Sequence, residues 1–287
     1  VQAHLLDVQR TKGTTAALRE LDRMVRATPG LAAVCHPLAH SIGHAAVEAA
    51  GGGPAAAHTA LAVRDDVCGG GYTHGVVEEA LGASTHPGED LLRVCAPEND
   101  GSCFHGVGHG LMLATGMSVR RSLAFCDRAP SSLLSGRCGE GVFMQLFTAD
   151  APSPRALPDA GDIAAAERTC RGARATYAGN CWFYAPTVWL TAHRDDFAGA
   201  LDWCRSAASG SARQVCAKGV GSRSVKYHPD DVAIGARACA AAGALADSCL
   251  QGMGSYWSVH HRGRRPASDV CRHVPDSVAV RCRAAIA

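Results

Sequence analysis

The sequence predicts an all-α chain, an array of about eight disulfide-stapled helix–turn–helix repeats arranged as an α/α superhelix or a closed α/α toroid. Three observations carry that expectation. Cysteine recurs with a period near 34, the segments between cysteines are patterned as helices, and the cysteines fall into two interleaved registers. One register is Cys35, Cys68, Cys103, Cys138, Cys181, Cys216, Cys249 and Cys282, at separations of 33, 35, 35, 43, 35, 33 and 33 residues. The other runs ahead of it at Cys95, Cys126, Cys170, Cys204, Cys239 and Cys271, each 8 to 12 residues before its partner.

Each repeat reads as helix A followed by helix B. Helix A ends near the earlier cysteine, as in 195–204 and 230–239, where paired aspartates supply an N-cap and suit the helix dipole. Helix B opens at the later cysteine, with a glycine three positions on at Gly71, Gly106, Gly141, Gly219 and Gly252. Glycine costs about 1 kcal/mol against alanine inside a helix, so its recurrence there implies close approach of B helices. The end of helix A and the start of helix B are neighbours in such a hairpin. Six bridges follow: Cys95–Cys103, Cys126–Cys138, Cys170–Cys181, Cys204–Cys216, Cys239–Cys249 and Cys271–Cys282. Each closes a short loop, worth roughly 2–3 kcal/mol in the chain-entropy model. Repeats one and two lack the earlier cysteine, which leaves Cys35 and Cys68 either bridged to each other or free as thiols beside histidines. The one long spacing holds a proline-rich insertion at 151–158. The whole chain, 1–287, is expected to be a single helical-repeat domain.

Composition narrows the function classes. With 28 basic residues against 26 acidic, no electrostatic footprint for nucleic acid and no polybasic membrane patch is present. No apolar run reaches the 18 or so residues of a membrane span. A chain opening at Val1 rather than Met is expected to have lost a leader. Six bridges imply an oxidising, extracytoplasmic setting: secreted, periplasmic, or the ectodomain of an anchored protein. Two-helix repeats stapled by paired cysteines resemble the cysteine-rich Sel1-like and tetratricopeptide-like solenoids. The Sel1 glycine-rich turn and lysine–aspartate segment are absent, so that resemblance implies a scaffold or binding role and assigns no functional residue.

Histidine is the second non-random feature. Nine of the 14 fall in the first 110 residues, in a site placed in repeats one to three, about 14–115. They crowd the openings of three B helices. His40, His44 and Glu48 share one i, i+4 stripe, His74 and Glu78 a second, His105 and His109 a third. Adjacent B helices would turn these stripes to a common surface. The metal ligands expected are His44, His74 and His109 first, then His40 and His105, with His36 either ligating or capping the helix beside Pro37. Glu48 and Glu78 are candidate ligands, orienters of histidine, or a general base on bound water. Imidazoles suit copper, zinc and iron, and the thioethers of Met112 and Met144 in this half of the chain lean towards copper. A packing histidine propagated by repeat duplication is the competing explanation, but three in register with i−4 histidines and i+4 glutamates argue for a metal. His58 and His86 read as surface residues.

No nucleophile elbow, P-loop, dinucleotide fingerprint or His-Glu-x-x-His pair occurs. The expected function is an extracytoplasmic metalloprotein with a multi-histidine transition-metal site, leaning to an enzyme. Copper or iron oxidation stands ahead of metal-assisted hydrolysis, acting on a small-molecule or peptide substrate in the concave face. The alternatives are a scaffold that binds a protein or peptide, and a metal-capture or delivery protein.

Overall fold

The computed structural model describes residues 1–28, 30–63, 67–96, 100–148, 162–261 and 263–287. The 151–158 insertion lies outside them. Every regular element among the described residues is helical, and none is long and apolar enough to cross a membrane. The helices gather into two compact units, Val1–Ala156 and Leu157–Ala287.

The N-terminal unit contains α1 (Gln2–Lys12), α2 (Thr14–Ala27), α3 (Leu31–Ala49), α4 (Gly53–Leu61), α5 (Val67–Gly82), α6 (Pro87–Cys95), α7 (Gly101–Ala114), α8 (Val119–Cys126) and α9 (Ser132–Thr148). Helices α3, α5, α7 and α9 pack in succession, each on the next. Their shared core is built from Ile42 and Val47, then Tyr72, Val76, Val77 and Leu81, then Phe104, Val107 and Leu111, all fully buried. The Tyr72 hydroxyl keeps a partner in that apolar layer by donating to the Ala60 carbonyl at 2.7 Å.

Glycine sets how close these helices come. A Cβ on Gly43 would lie 2.5 Å from the Tyr72 carbonyl oxygen and 2.6 Å from the Val76 nitrogen, and one on Gly75 would strike the His40 backbone. Gly108 and Gly141 hold the same relation between α7 and α9. Between α5 and α7 a Cβ on Gly110 would lie 3.0 Å from the Val77 carbonyl oxygen and one on Gly106 3.1 Å from the His74 Cα. Backbone cannot yield as a side-chain tip can, so these contacts and the Gly43–Gly75 pair fix the spacing that brings histidines of α3, α5 and α7 together. Gly43→Ala is therefore expected to destabilise the unit by about 1–3 kcal/mol, the usual range for overpacking. Thermal unfolding should show a drop of several degrees. A midpoint within one degree of wild type would mean that the α3–α5 contact is soft.

The C-terminal unit contains α10 (Ile163–Gly172), α11 (Ala175–Tyr184), α12 (Pro186–Ala192), α13 (Phe197–Cys204), α14 (Gly210–Tyr227), α15 (Ala233–Ala241), α16 (Ala246–His260) and α17 (Asp276–Ile286). What the sequence suggests as one B helix is split between α11 and α12, because Pro186 has no N–H to continue the ladder. Trp182 is buried against Trp203, with ring centroids 5.7 Å apart.

Seven disulfides form. Six are the expected hairpin staples. The seventh joins Cys35 to Cys68 with Cα atoms 5.5 Å apart, so no thiol is left to bind a metal. The chain reaches that distance by a local distortion. Cys68, Gly69 and Gly70 sit at φ of 61°, 67° and 79° before α5 settles into regular helix. Two glycines carry left-handed backbone without penalty; Cys68 carries it against its Cβ.

Helix starts depart from the simplest sequence reading. α9, α11 and α14 begin six residues ahead of Cys138, Cys181 and Cys216. In two of them the cap lies upstream: Ser131 Oγ accepts from the Leu134 amide and Ser209 Oγ from the Ala212 amide. Asp196 caps α13 as the paired aspartates suggest, accepting from Gly199 at 2.9 Å. α15 has no side-chain cap.

Candidate metal centre

Three helices donate the site. α3 presents His36, His40 and His44 at successive i, i+4 positions, α5 presents His74 and Glu78, and α7 presents His105 and His109. The glycine-set spacing stacks these faces against one another. Ring centroids lie 4.8 Å apart for His36–His40, 5.1 Å for His36–His74, 5.4 Å for His40–His109 and 4.5 Å for His74–His105. His40, His74 and His109 are buried, and the His105 side chain is 11% exposed.

The hydrogen-bond partners fix where the protons are. His36 Nδ1 is 2.6 Å from the Cys68 carbonyl, the group that the left-handed turn swings inward. A carbonyl only accepts, so Nδ1 carries the proton and Nε2 carries a lone pair. His40 Nδ1 donates in the same way to Glu78 Oε2 at 2.9 Å. The two Nε2 atoms then face each other at 3.1 Å, and His74 Nδ1 stands 3.3 Å from His36 Nε2. Lone pairs at that separation repel unless a cation sits between them. The edge of a tetrahedron built on metal–nitrogen bonds of about 2.0–2.1 Å is about 3.3–3.4 Å, so these separations are those of a coordination polyhedron.

His109 adds a further nitrogen. Its Nδ1 donates to Gln145 Oε1 at 2.6 Å, leaving a buried Nε2 with no hydrogen-bond partner. A neutral nitrogen lone pair left bare inside a protein is costly, and a metal would satisfy it. His74 Nε2 is 3.4 Å from Ser102 Oγ. His105 Nε2 is 3.3 Å from Met144 Sδ, and its Nδ1 is 3.7 Å from Glu140 Oε2.

Burial disfavours the charged form of two of these histidines, His74 and His109. Burial, helped by the neighbouring charges of His105, His36, His40 and His109, drives His74 well below the ordinary histidine value. Burial and the charge of His105 hold His109 down to about 3. Glu78 behaves oppositely. Burial favours its neutral form, but hydrogen bonds from His40 and His44, with the charges of His40 and His109, outweigh that and hold it ionised below the usual carboxylate range. Burial alone would lower His44; the Glu78 hydrogen bond, with the charges of Glu78, Glu79 and Glu48, raises it.

Three groups of donor atoms come within 4.8 Å of one another: His36, His40 and His74; His74, His105 and His109; and His40, His44 and Glu78. All six histidines singled out from the sequence therefore enter the cluster, and Glu78 with them. Glu48 lies exposed at the end of α3, outside these groups. His44 Nε2 meets Glu78 Oε2 at 3.0 Å. His58 and His86 are exposed. Ser102, Glu140 and the Cys68 carbonyl were not foreseen. Asp100, which caps α7 from a position ahead of Ser102, and the Cys68-Gly-Gly run are the only local signals that bear on two of them. Comparison of the chain with protein families, with curated proteins and with solved structures finds no match, so the reading of this centre rests on its own chemistry.

Proposed function

We propose that the protein is an extracytoplasmic metalloprotein whose N-terminal unit binds a transition metal through His36 Nε2, His40 Nε2 and His74 Nδ1, with His109 in the neighbouring donor group it forms with His74 and His105. One observation carries this reading: two imidazoles, each with its proton committed elsewhere, face each other at 3.1 Å with a third ring nitrogen at 3.3 Å. A shared proton could reconcile two nitrogens but not three converging, and the bare Nε2 of His109 adds a donor to the adjoining group with His74 and His105. In this reading Glu78 positions His40 and His44, and His44 acts through Glu78. A carboxylate held so firmly ionised is a weak base, so orientation is the role we assign it. Glu48 remains a solvent-side candidate for proton transfer.

The ligand set is neutral nitrogen with one buried carboxylate behind it, which suits copper, then zinc or iron. Such an ion, when bound, supplies electron transfer or Lewis acidity. His105 and Met144 lie beside the cluster, and a catalytic centre keeps a position open for substrate. We therefore rank an oxidoreductase ahead of a hydrolase. The His105–Met144 contact at 3.3 Å favours a second reading, copper capture and delivery, since thioether and imidazole together prefer that metal. Seven disulfides support an oxidising location, and the cysteine period supports reading both units as one series of αα repeats.

The test is elemental analysis of untagged protein, followed by titration of chelated protein with copper, zinc and ferrous iron. His74→Ala/His109→Ala protein is measured beside it. One or two equivalents, lost in the variant while the circular dichroism persists, is the expected result. No uptake of any of the three ions would overturn the proposal.

A further inference from the structure

The C-terminal unit holds different chemistry at the matching positions. Six residues after the helix-B cysteine stand His74 and His109 in the N-terminal unit, but Thr187 and Ser222 in the C-terminal one; one position further on, Gln145 is matched by Arg223. Arg223 is 4% exposed, and Thr187 and Ser222 are equally buried at 4% and 3%. Its Nε donates to Thr187 Oγ1 at 2.9 Å and its Nη1 to Ser222 Oγ at 3.3 Å. The guanidinium carbon lies 4.9 Å from the Tyr184 ring centroid and 5.5 Å from that of Phe183. Among the described residues no carboxylate comes within ion-pair distance of it.

A guanidinium is always charged and offers five N–H donors in a fixed fork. Two of them are placed on hydroxyls here, and ring faces add cation–π attraction. The second hydrogen on Nη1 and both on Nη2 remain, and these form the end of the fork that grips two oxygens at once. Burial of a cation without an anion is unfavourable, so the arrangement lacks its counter-charge. Thr187 and Ser222, having accepted, can still donate their own O–H to the same anion. A single positive charge balances a monoanion, whereas a phosphate dianion would leave a buried negative charge over.

We propose that Arg223, Thr187 and Ser222 bind a small organic carboxylate, with Phe183 and Tyr184 taking its apolar part. This site is independent of the metal centre. Chelated protein in a chloride buffer is titrated calorimetrically with phenylacetate, then with acetate, phosphate and sulfate. The expected result is one saturable equivalent of phenylacetate per chain, weaker acetate binding, and a rise in melting temperature. Binding should fall at least tenfold in Arg223→Lys, vanish in Arg223→Met, and survive in His74→Ala/His109→Ala. Absence of saturable binding, persistence in Arg223→Met, or tighter binding of phosphate or sulfate would each overturn the proposal. If Arg223→Met does not fold, the wild-type melting shift decides: a shift with phenylacetate and none with sulfate upholds the site, and equal shifts refute it.

Discussion

Glu78→Gln is expected to weaken metal binding roughly ten- to hundredfold, the usual cost of losing a group that orients a ligand histidine, while the helices and disulfides persist. The wild-type carboxylate accepts from His40 Nδ1 at 2.9 Å and from His44 Nε2 at 3.0 Å on the same oxygen. An amide presents one accepting oxygen and one donating nitrogen where the carboxylate has two acceptors. The amide nitrogen placed towards His40 would favour the tautomer with the proton on Nε2. That proton would then point at His36 Nε2, 3.1 Å away, and occupy the position meant for the ion. Glu78 Oε1, buried without a partner, gives the amide no ready alternative. Competition against a chelator of known affinity measures the loss, and nitrogen chemical shifts of the His40 ring report the tautomer. Unchanged affinity would show that Glu78 does not orient the ligand.

The spacing of the cysteines made much of the fold legible, because a bridge between the end of one helix and the early part of the next imposes a separation that a sequence displays directly. The i, i+4 histidines were legible for the same reason, since helical period dictates their common face. The division of labour among them was not. His44 stood first among expected ligands; its Nε2 lies 3.0 Å from a Glu78 oxygen, within the donor group it forms with His40 and Glu78. His36 was open between capping and ligation; its orientation depends on the Cys68 carbonyl, carried inward by three residues of left-handed backbone. Such a turn is not visible in hydrophobic periodicity. Gly69 and Gly70 permit it, but the Cys35–Cys68 bridge, left open by the spacing, is what ties it to α3. Arg223 carries no signal in the sequence, because a lone arginine in a helix usually faces water; only packing reveals that this one is buried.

Acid is expected to unfold the metal-free protein well above the pH at which carboxylates titrate. His109 is held at about 3 and His74 well below its ordinary value, both chiefly by burial. A histidine of the unfolded chain takes up its proton near pH 6.5. Below that point the unfolded state binds protons that the folded state refuses, so stability rises with pH and is lost as pH falls. Each such group changes the unfolding equilibrium about tenfold per pH unit below 6.5, down to its folded value. His44 has the opposite sign: its raised value gives stability that is complete below 6.5 and is lost at higher pH, so it adds no slope in this window. Glu78, held low, keeps its contribution above the carboxylate range and begins to lose it only in stronger acid. The interval between about pH 6.5 and 4.5 therefore reports His74 and His109 together with His260 and His261, which burial also lowers. Denaturant midpoints of chelated protein should fall steeply across it, and His109→Leu should lower the slope by one group's share, about tenfold in the unfolding equilibrium per pH unit, whatever it does to stability at neutral pH. Metal-loaded protein should hold its midpoint to lower pH, because protons must first displace the ion from the same nitrogens. A flat profile for chelated wild type between pH 7 and 5 would mean that the histidines titrate as in water, and that the core of the centre is not dry.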